Sequence, residues 1–230
     1  FGQRMYQFPL GLIGVGLGTV LFPQFARHAG RGDQRLLHRD LTNGLKLTLS
    51  VGLPAGIGLM LLAEPITQLL FRHGEFTAEA GDLTSRMIFA YGLGVPAFIG
   101  LLIVQRCYYA VDDRLTPLRH GIVAMAVNLV LDFGLLFVLG ESGLAWATAL
   151  AAVVQFSLAT VVLQRHIGEL PWRELSSTLW RTVAASLVMG VACWALSWPE
   201  SKTIGGRVIA VALPLLGGAI AFLTTAAVLK

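Results

Sequence analysis

Long uncharged apolar stretches, separated by short polar clusters, make up most of this chain. They run over Met5–Ala26, Leu47–Ala63, Met87–Gln105, Gly121–Gly140, Gly143–Gln164, Thr182–Pro199 and Val208–Leu229. Each is close to the ~20 residues a helix needs to cross the hydrocarbon of a bilayer. Ten-residue segments of strict apolar/polar alternation, the mark of a membrane β-barrel, do not occur. The pattern predicts an all-α, polytopic transmembrane bundle of seven spans. An odd number of crossings puts the two ends of the chain on opposite sides of the membrane.

Composition sharpens this reading. Hydrophobic residues are 55% of the 230, and charged residues only 13%, against roughly 25% in a soluble domain. So few charges cannot coat a globule of this length, and lipid must replace water over most of the surface. The net charge of +4 sits in the connections and does not point to nucleic acid. Twelve of the seventeen Lys and Arg fall in one set of connections: Arg27 to Lys46, Arg106 to Arg119, Arg165 to Arg181, and Lys230. The positive-inside rule places that set in the cytoplasm, so the chain starts outside and ends inside. Phe1 opens the chain without a Met or a signal peptide, and the first residues read as helix interior. The expectation is a piece of a longer protein.

The fourth span, LRHGIVAMAVNLVLDFGLLFVLG, holds the most demanding chemistry. Asn128 and Asp132 are its only strongly polar residues between Gly121 and Gly140, and at i, i+4 they share one helix face. A carboxylate deep in a span must face protein, water or a cation. The tight Gly140–Gly143 turn makes the fifth span an antiparallel neighbour, which sets Thr148 roughly opposite Asn128 and Asp132. Leu144, Thr148 and Ala151 are spaced to share a face. Carboxylate, amide oxygen, hydroxyl and backbone carbonyl are hard oxygen ligands suited to a small hard cation. The alternative is a protonated Asp132 hydrogen-bonded to Asn128 or Thr148.

Other residues carry weaker signals. The first span is interrupted by Pro9 and Pro23, and Gly14 and Gly18 form a small-xxx-small face for close helix packing. Arg4 stands just before it, either snorkelling to the outer interface or serving a site. Gly52, Pro54, Gly56 and Gly58 predict a bent or closely packed second span. Arg27–Asp40 reads as a basic connection whose Leu36, Leu37 and Leu41 touch the membrane surface, with His28 and His38 solvated. Pro65–Asp82 reads as an outer connection with a short interfacial helix, and His73 with Glu75 as a solvated pair. Tyr108 and Tyr109 suit the headgroup belt. Asp112, Asp113, Arg114 and Arg119 read as a solvated turn with weak ion pairs. Trp180, Trp194 and Trp198 stand near interfaces. Cys107 and Cys193 have neither metal nor disulfide spacing and read as buried small hydrophobes. No nucleophile–base arrangement, phosphate loop or zinc pattern argues for an enzyme.

Several motifs resemble one family. QRMYQFPLGLIGVGLGTVLFPQFARHAGRGD is similar to the segment that crosses the membrane as the eighth helix of MurJ (MviN) proteins. LLFRHGEFT resembles that family's outer loop, and RCYYAVDDRLTP with AVNLVLDFGL its tenth-to-eleventh helix region. The resemblance implies helices eight to fourteen of a fourteen-helix flippase of the multidrug/oligosaccharidyl-lipid/polysaccharide exporter fold. A five-span transport bundle would then cover 1–165, and two peripheral C-terminal helices 166–230. It implies alternating-access movement of lipid II, the undecaprenyl-pyrophosphate-linked peptidoglycan precursor, across the bacterial inner membrane. Its partners would be lipid II, membrane lipids and the N-terminal half of the same protein. By resemblance Arg4 matches a cavity arginine that binds substrate. Asn128, Asp132, Thr148 and the Leu144 carbonyl match a sodium site, while no cofactor is required. Other readings are a related exporter of drugs or other polyprenyl-linked saccharides, and a non-transporting membrane scaffold.

Overall fold

The computed structural model describes residues 2–71, 77–197 and 204–229. His73, Glu75, Trp198 and most of the polar segment after Phe71 lie outside them. Among the described residues every regular element is helical: α1 (Gly2–Pro9), a π-helical turn (Leu10–Val15), α2 (Gly16–Gly30), α3 (Gln34–Leu61), α4 (Ala63–Leu70), α5 (Ala78–Ala110), α6 (Leu115–Leu139), α7 (Ser142–Ile167), α8 (Trp172–Ala195) and α9 (Ile204–Val228). Seven helices are long and apolar enough to cross a membrane, with α1, the π turn and α2 forming the first. This is the predicted polytopic bundle. The spans overrun their apolar runs: α3 starts at Gln34 and α5 at Ala78, capped by the side chains of Asp33 and Thr77, which accept the amides of Leu36 and Ala80.

α5 is the central post. It packs against α3 on one side and α7 on another, while the first span lies along it. Glycine makes these approaches close. A Cβ on Gly56 would stand 2.4 Å from the Gly92 carbonyl oxygen, and one on Gly52 would stand 3.0 Å from Pro96 Cα. Lipid tails are as apolar as leucine, so helices in a membrane associate through close packing and internal hydrogen bonds rather than by escaping water. The predicted tight packing of the second span is therefore made by Gly52 and Gly56, whereas Gly58 faces open space. α8 packs on α3, and α9 packs on α8 and α4. Trp180 and Trp194 of α8 are largely exposed.

The turns α2–α3, α5–α6 and α7–α8 gather at one end, hereafter the basic end. Here the structure corrects the sequence reading. Arg27–Asp40 is not a loop: only Arg31, Gly32 and Asp33 separate two helices, with Gly32 at φ +68°. Leu37 and Leu41 are buried in the core with Phe25, Ile103 and Tyr108, not laid on a membrane surface. The helical register decides this, because both leucines lie on the face of α3 that turns toward α5. His28 is not solvated. Its Nδ1 lies 2.9 Å from Asp40 Oδ2, off the ideal hydrogen-bond line, and both side chains are largely buried. His38 is half-buried, and its Nε2 meets the Glu169 carbonyl at 2.8 Å. Tyr108 leaves the headgroup belt for the core, donating its hydroxyl to the Ala159 carbonyl at 2.8 Å, while Tyr109 stays half-exposed. Cys107 and Cys193 are buried free thiols, as expected.

In the α5–α6 turn, Asp112 and Arg114 form an exposed pair at 3.3 Å. Asp113 does more than the solvated turn anticipated. Its side chain is 16% exposed, accepts the Thr116 amide at 3.0 Å, and lies 2.9 Å from His166 Nε2 on α7. Burial pushes its carboxyl pKa up, but hydrogen bonds from the Thr116 hydroxyl and amide, and from His166, outweigh that and hold it below the ordinary 3.8.

Two predictions follow from the packing and the turn. Gly56→Val should destabilise the bundle by about 1–3 kcal/mol, because it drives two backbones apart, whereas Gly58→Ala should stay within about 0.5 kcal/mol; thermal melts in one detergent distinguish them. A carboxyl whose pKa is lowered by folding stabilises above its unfolded value, and that contribution fades as pH falls through the lower folded value. Asp113→Asn should therefore cost about 1 kcal/mol at neutral pH, with the gap to the parent chain closing as pH falls through the lowered carboxyl pKa in denaturation curves taken across pH.

Candidate functional site

The chain's intramembrane carboxylate owes its place to the α6–α7 hairpin. Gly140 ends α6 at φ +61°, a conformation that suits glycine. Gly143 then passes so close to α6 that a Cβ would meet the Leu135 carbonyl oxygen at 2.4 Å. With the turn this tight, residues equally far from it face each other. Asn128 and Asp132 lie half-buried on α6, and Thr148 half-buried on α7. The Asn128 amide, oriented by its neighbours, donates to Asp132 Oδ2 at 3.2 Å and accepts the Thr148 backbone N–H at 3.2 Å. The Thr148 hydroxyl donates to the Leu144 carbonyl at 2.9 Å. The structure therefore brings Asn128, Asp132, Leu144 and Thr148 into one connected group.

The group extends further than the sequence reading. Tyr91 on α5 lies near Thr148 and Asp132. Its ring lies 4.8 Å, centroid to centroid, from that of Tyr6 on α1, and Tyr6 stacks on Phe98 at 4.6 Å. Tyr6 is buried, whereas Arg4, half a turn before it, is exposed. No carboxylate among the described residues pairs with Arg4. A polar line thus runs from the start of the first span through Tyr6, Tyr91 and Thr148 to Asn128 and Asp132, within an otherwise apolar bundle. Tyr91 carries little signal in the sequence, because one tyrosine in an apolar run is ordinary core. Pairing it with Thr148 requires the packing of α5 on α7.

Among the described residues no three His, Cys, Asp or Glu gather as a metal cluster. The Asn128 group is a different donor set, one carboxylate with neutral oxygens, which fits a singly charged hard cation. Here its oxygens are engaged with one another: Asn128 turns its NH2 to Asp132, and the Leu144 carbonyl accepts the Thr148 hydroxyl.

Seven apolar helices enclosing such a polar line define a polytopic α-helical membrane protein with an ionisable site inside the bilayer. The family model described as lipid II flippase MurJ matches residues 1–208, and the chain belongs to that family. It is similar to the probable lipid II flippase MurJ of Rhizobium tropici, with 34% identity over 83% of this chain and 36% of the relative. The probable lipid II flippase MurJ of Vibrio cholerae serotype O1 is 32% identical over 86% of this chain and 37% of the relative. That of Thermotoga maritima is 32% identical over 82% and 37%. The chain therefore spans little more than a third of the length of these relatives. A solved structure titled lipid II flippase MurJ, inward closed conformation, shares the fold with a TM-score of 0.78 over 99% of this chain and 45% of that one, at 22% identity.

Asn128→Leu should leave the Asp132 carboxylate without its amide donor and lower stability by about 1–3 kcal/mol. Removing both polar groups in Asn128→Leu/Asp132→Leu should return much of that loss, so a double-mutant cycle on thermal melts should give a clear coupling between the two sites.

Proposed function

We propose that these seven spans form one helical bundle of a lipid II flippase in the bacterial inner membrane. Family membership supports this, as do the printed names of the relatives. The observation that carries it is the polar line from the Arg4 end of the first span to Asp132. A bundle held only by packing needs no such line, and intramembrane ionisable residues mark substrate or ion pathways.

In this reading the first span begins on the periplasmic side and α9 ends in the cytoplasm. The concentration of Lys and Arg at the basic end supports that orientation. Arg4 offers a planar guanidinium, free of any carboxylate among the described residues, to the pyrophosphate of the lipid carrier. The remaining half of the cavity would come from a second bundle, and movement between them would alternate access. Residues 1–165 form the moving bundle, with 166–230 as peripheral helices against lipid. The chemistry is transport, not catalysis, and no cofactor is required.

Asp132 sets the electrostatic state of the site. Asn128, Asp132, Thr148 and the Leu144 carbonyl would hold a sodium ion, which supplies a compact positive charge beside the carboxylate. With Asp132 charged or neutral, the hydrogen bonds of Asn128 and Thr148 redistribute, and Tyr91 and Tyr6 lie next along the line toward Arg4. A ligand of this group shifts the balance between two transporter states only by binding one better than the other.

The test is translocation of lipid II by the full-length protein in liposomes. Arg4→Ala should slow it by about tenfold or more, the loss of a charge-assisted bidentate contact, with Arg4→Lys in between. Asp132→Asn should leave the rate indifferent to sodium. A protein that binds the bilayer but moves no lipid II would be a scaffold. An Arg4→Ala variant that still supports cell-wall synthesis would instead indicate an exporter of other substrates.

A further inference from the structure

A second cluster of titratable side chains lies at the basic end, away from the Asn128 group. Asp113 comes from the α5–α6 turn, Tyr108 from α5, His120 from α6 and His166 from α7. The Tyr108 ring meets both imidazoles edge-on, with centroids 6.1 Å from His120 and 6.0 Å from His166. Its hydroxyl is fixed on the Ala159 carbonyl of α7. Asp113 Oδ2 lies 2.9 Å from His166 Nε2, and Oδ1 accepts the Thr116 amide. Cys107 on α5 and Arg165 on α7 also face the cluster. Asp112 and Arg114 pair with each other at the surface, and Arg119 of α6 is exposed.

The turn that carries Asp113 is held under strain. Asp112 stands at φ +58°, in the left-handed region where a side chain is costly. The Asp113 N–H donates to the Tyr108 carbonyl at 3.0 Å, and the Asp113 side chain ties the turn to α7 through His166. That tie matters for α6, which packs along α7 but barely meets α5. The Gly140–Gly143 turn holds one end of α6, and the α5–α6 turn anchors the other. Between them lie Asn128 and Asp132. The two imidazoles of the cluster differ in their surroundings. His120 is buried and its Nδ1 has no partner, so a charged ring there would hold a donor without an acceptor. The His166 side chain is 38% exposed and already faces a carboxylate. A proton entering the cluster therefore goes to His166.

We propose that His166 and Asp113 form a proton-operated latch at the basic end, which seats the base of α6 more firmly as the adjoining solution becomes more acidic. An unperturbed imidazole changes charge at about pH 6.5, within the physiological range. Asp113 keeps its charge throughout that range. With His166 protonated, the contact is an ion pair and a charge-assisted hydrogen bond. Once the proton is lost only a neutral hydrogen bond remains, and the strained Asp112 turn opens more often. The latch therefore weakens as pH rises. The other histidine–carboxylate contact at this end, His28 with Asp40, joins α2 to α3 and does not touch α6. In the orientation proposed above the latch faces the cytoplasm, so cytoplasmic pH acts on the helix that carries the Asn128 group.

The experiment measures hydrogen exchange of the full-length protein in nanodiscs between about pH 5.5 and 8.5, with each rate corrected for the intrinsic pH dependence of exchange. In the parent protein, protection of the α5–α6 turn and the first turn of α6 should fall about threefold from the acidic to the alkaline end, the worth of a partly exposed ion pair. His166→Gln keeps a neutral donor and should flatten the profile at its alkaline level. Asp113→Asn should flatten it as well, and carries the assignment if His166→Gln does not fold. His28→Gln should keep the parent's profile. A parent protein whose turn protection does not change with pH overturns the latch, whether or not the variants fold. A pH dependence that survives in His166→Gln or Asp113→Asn overturns it too. None of these readouts involves lipid II, so the flippase reading stands or falls separately.

Discussion

Hydrocarbon has no hydrogen bonds to offer, and this shapes every span. Each polar group inside the membrane must find its partner within the protein. The threonines show the simplest solution. Thr48, Thr84, Thr148, Thr160 and Thr225 each turn the hydroxyl back to the carbonyl four residues earlier, at 2.7–2.9 Å. That bond satisfies the side chain without help from another helix. Groups that cannot bond locally reach across: Tyr108 to the Ala159 carbonyl, Cys193 to the Pro214 carbonyl at 3.3 Å, and Asn128 to the backbone of Thr148.

Where partners are found also divides the bundle mechanically. Cross-helix side-chain contacts gather at the basic end: His28 with Asp40, His38 with Glu169, Lys46 with Glu174, and Asp113 with His166. The main hydrophobic cluster lies at the same level, around Tyr108, Phe25 and Leu163. Toward the other end, α3 and α5 meet through Gly56 and Gly92, and the first span loosens into a π-helical turn after Pro9. Such turns often lie at functional sites. The basic end is clasped by charge and packing, and the opposite half by close backbone contact, the Tyr6, Tyr91 and Phe98 rings and the Asn128 group.

The helical bundle was legible because lipid imposes length and apolarity directly on the sequence. Seven runs of spanning length needed no tertiary information, and neither did the Asn128/Asp132 pair, since four residues make one helical turn. The opposition of Thr148 followed from the short Gly140–Gly143 turn. Helix ends were less legible. A helix does not stop where its residues become polar, so α3 extends thirteen residues ahead of its apolar run and α5 nine. The extension of α3 turned the expected loop residues Leu37 and Leu41 into interior ones, and that of α2 past its apolar run did the same for His28. Tyr91 was invisible for another reason: its partners come from α1 and α7, about 85 and 57 residues away along the chain, and a lone hydroxyl in an apolar run has no local signature.

The register between the first span and α5 ties these observations together. Gly2 lies beside Met87 and Tyr6 beside Tyr91, so at this end the two helices run side by side and depth along one is depth along the other. Tyr91 is level with Tyr6 and meets Thr148, which fixes the Asn128 group at nearly the depth of Arg4. The acid and the arginine are thus neighbours in depth, joined by two aromatic rings rather than by an ion pair. A direct Arg4–Asp132 pair would neutralise both and leave neither for a ligand. Spacing them with Tyr6 and Tyr91 keeps each charge available. It also lets a change at the acid reach the first span through packed rings, which cannot deform without moving their helices.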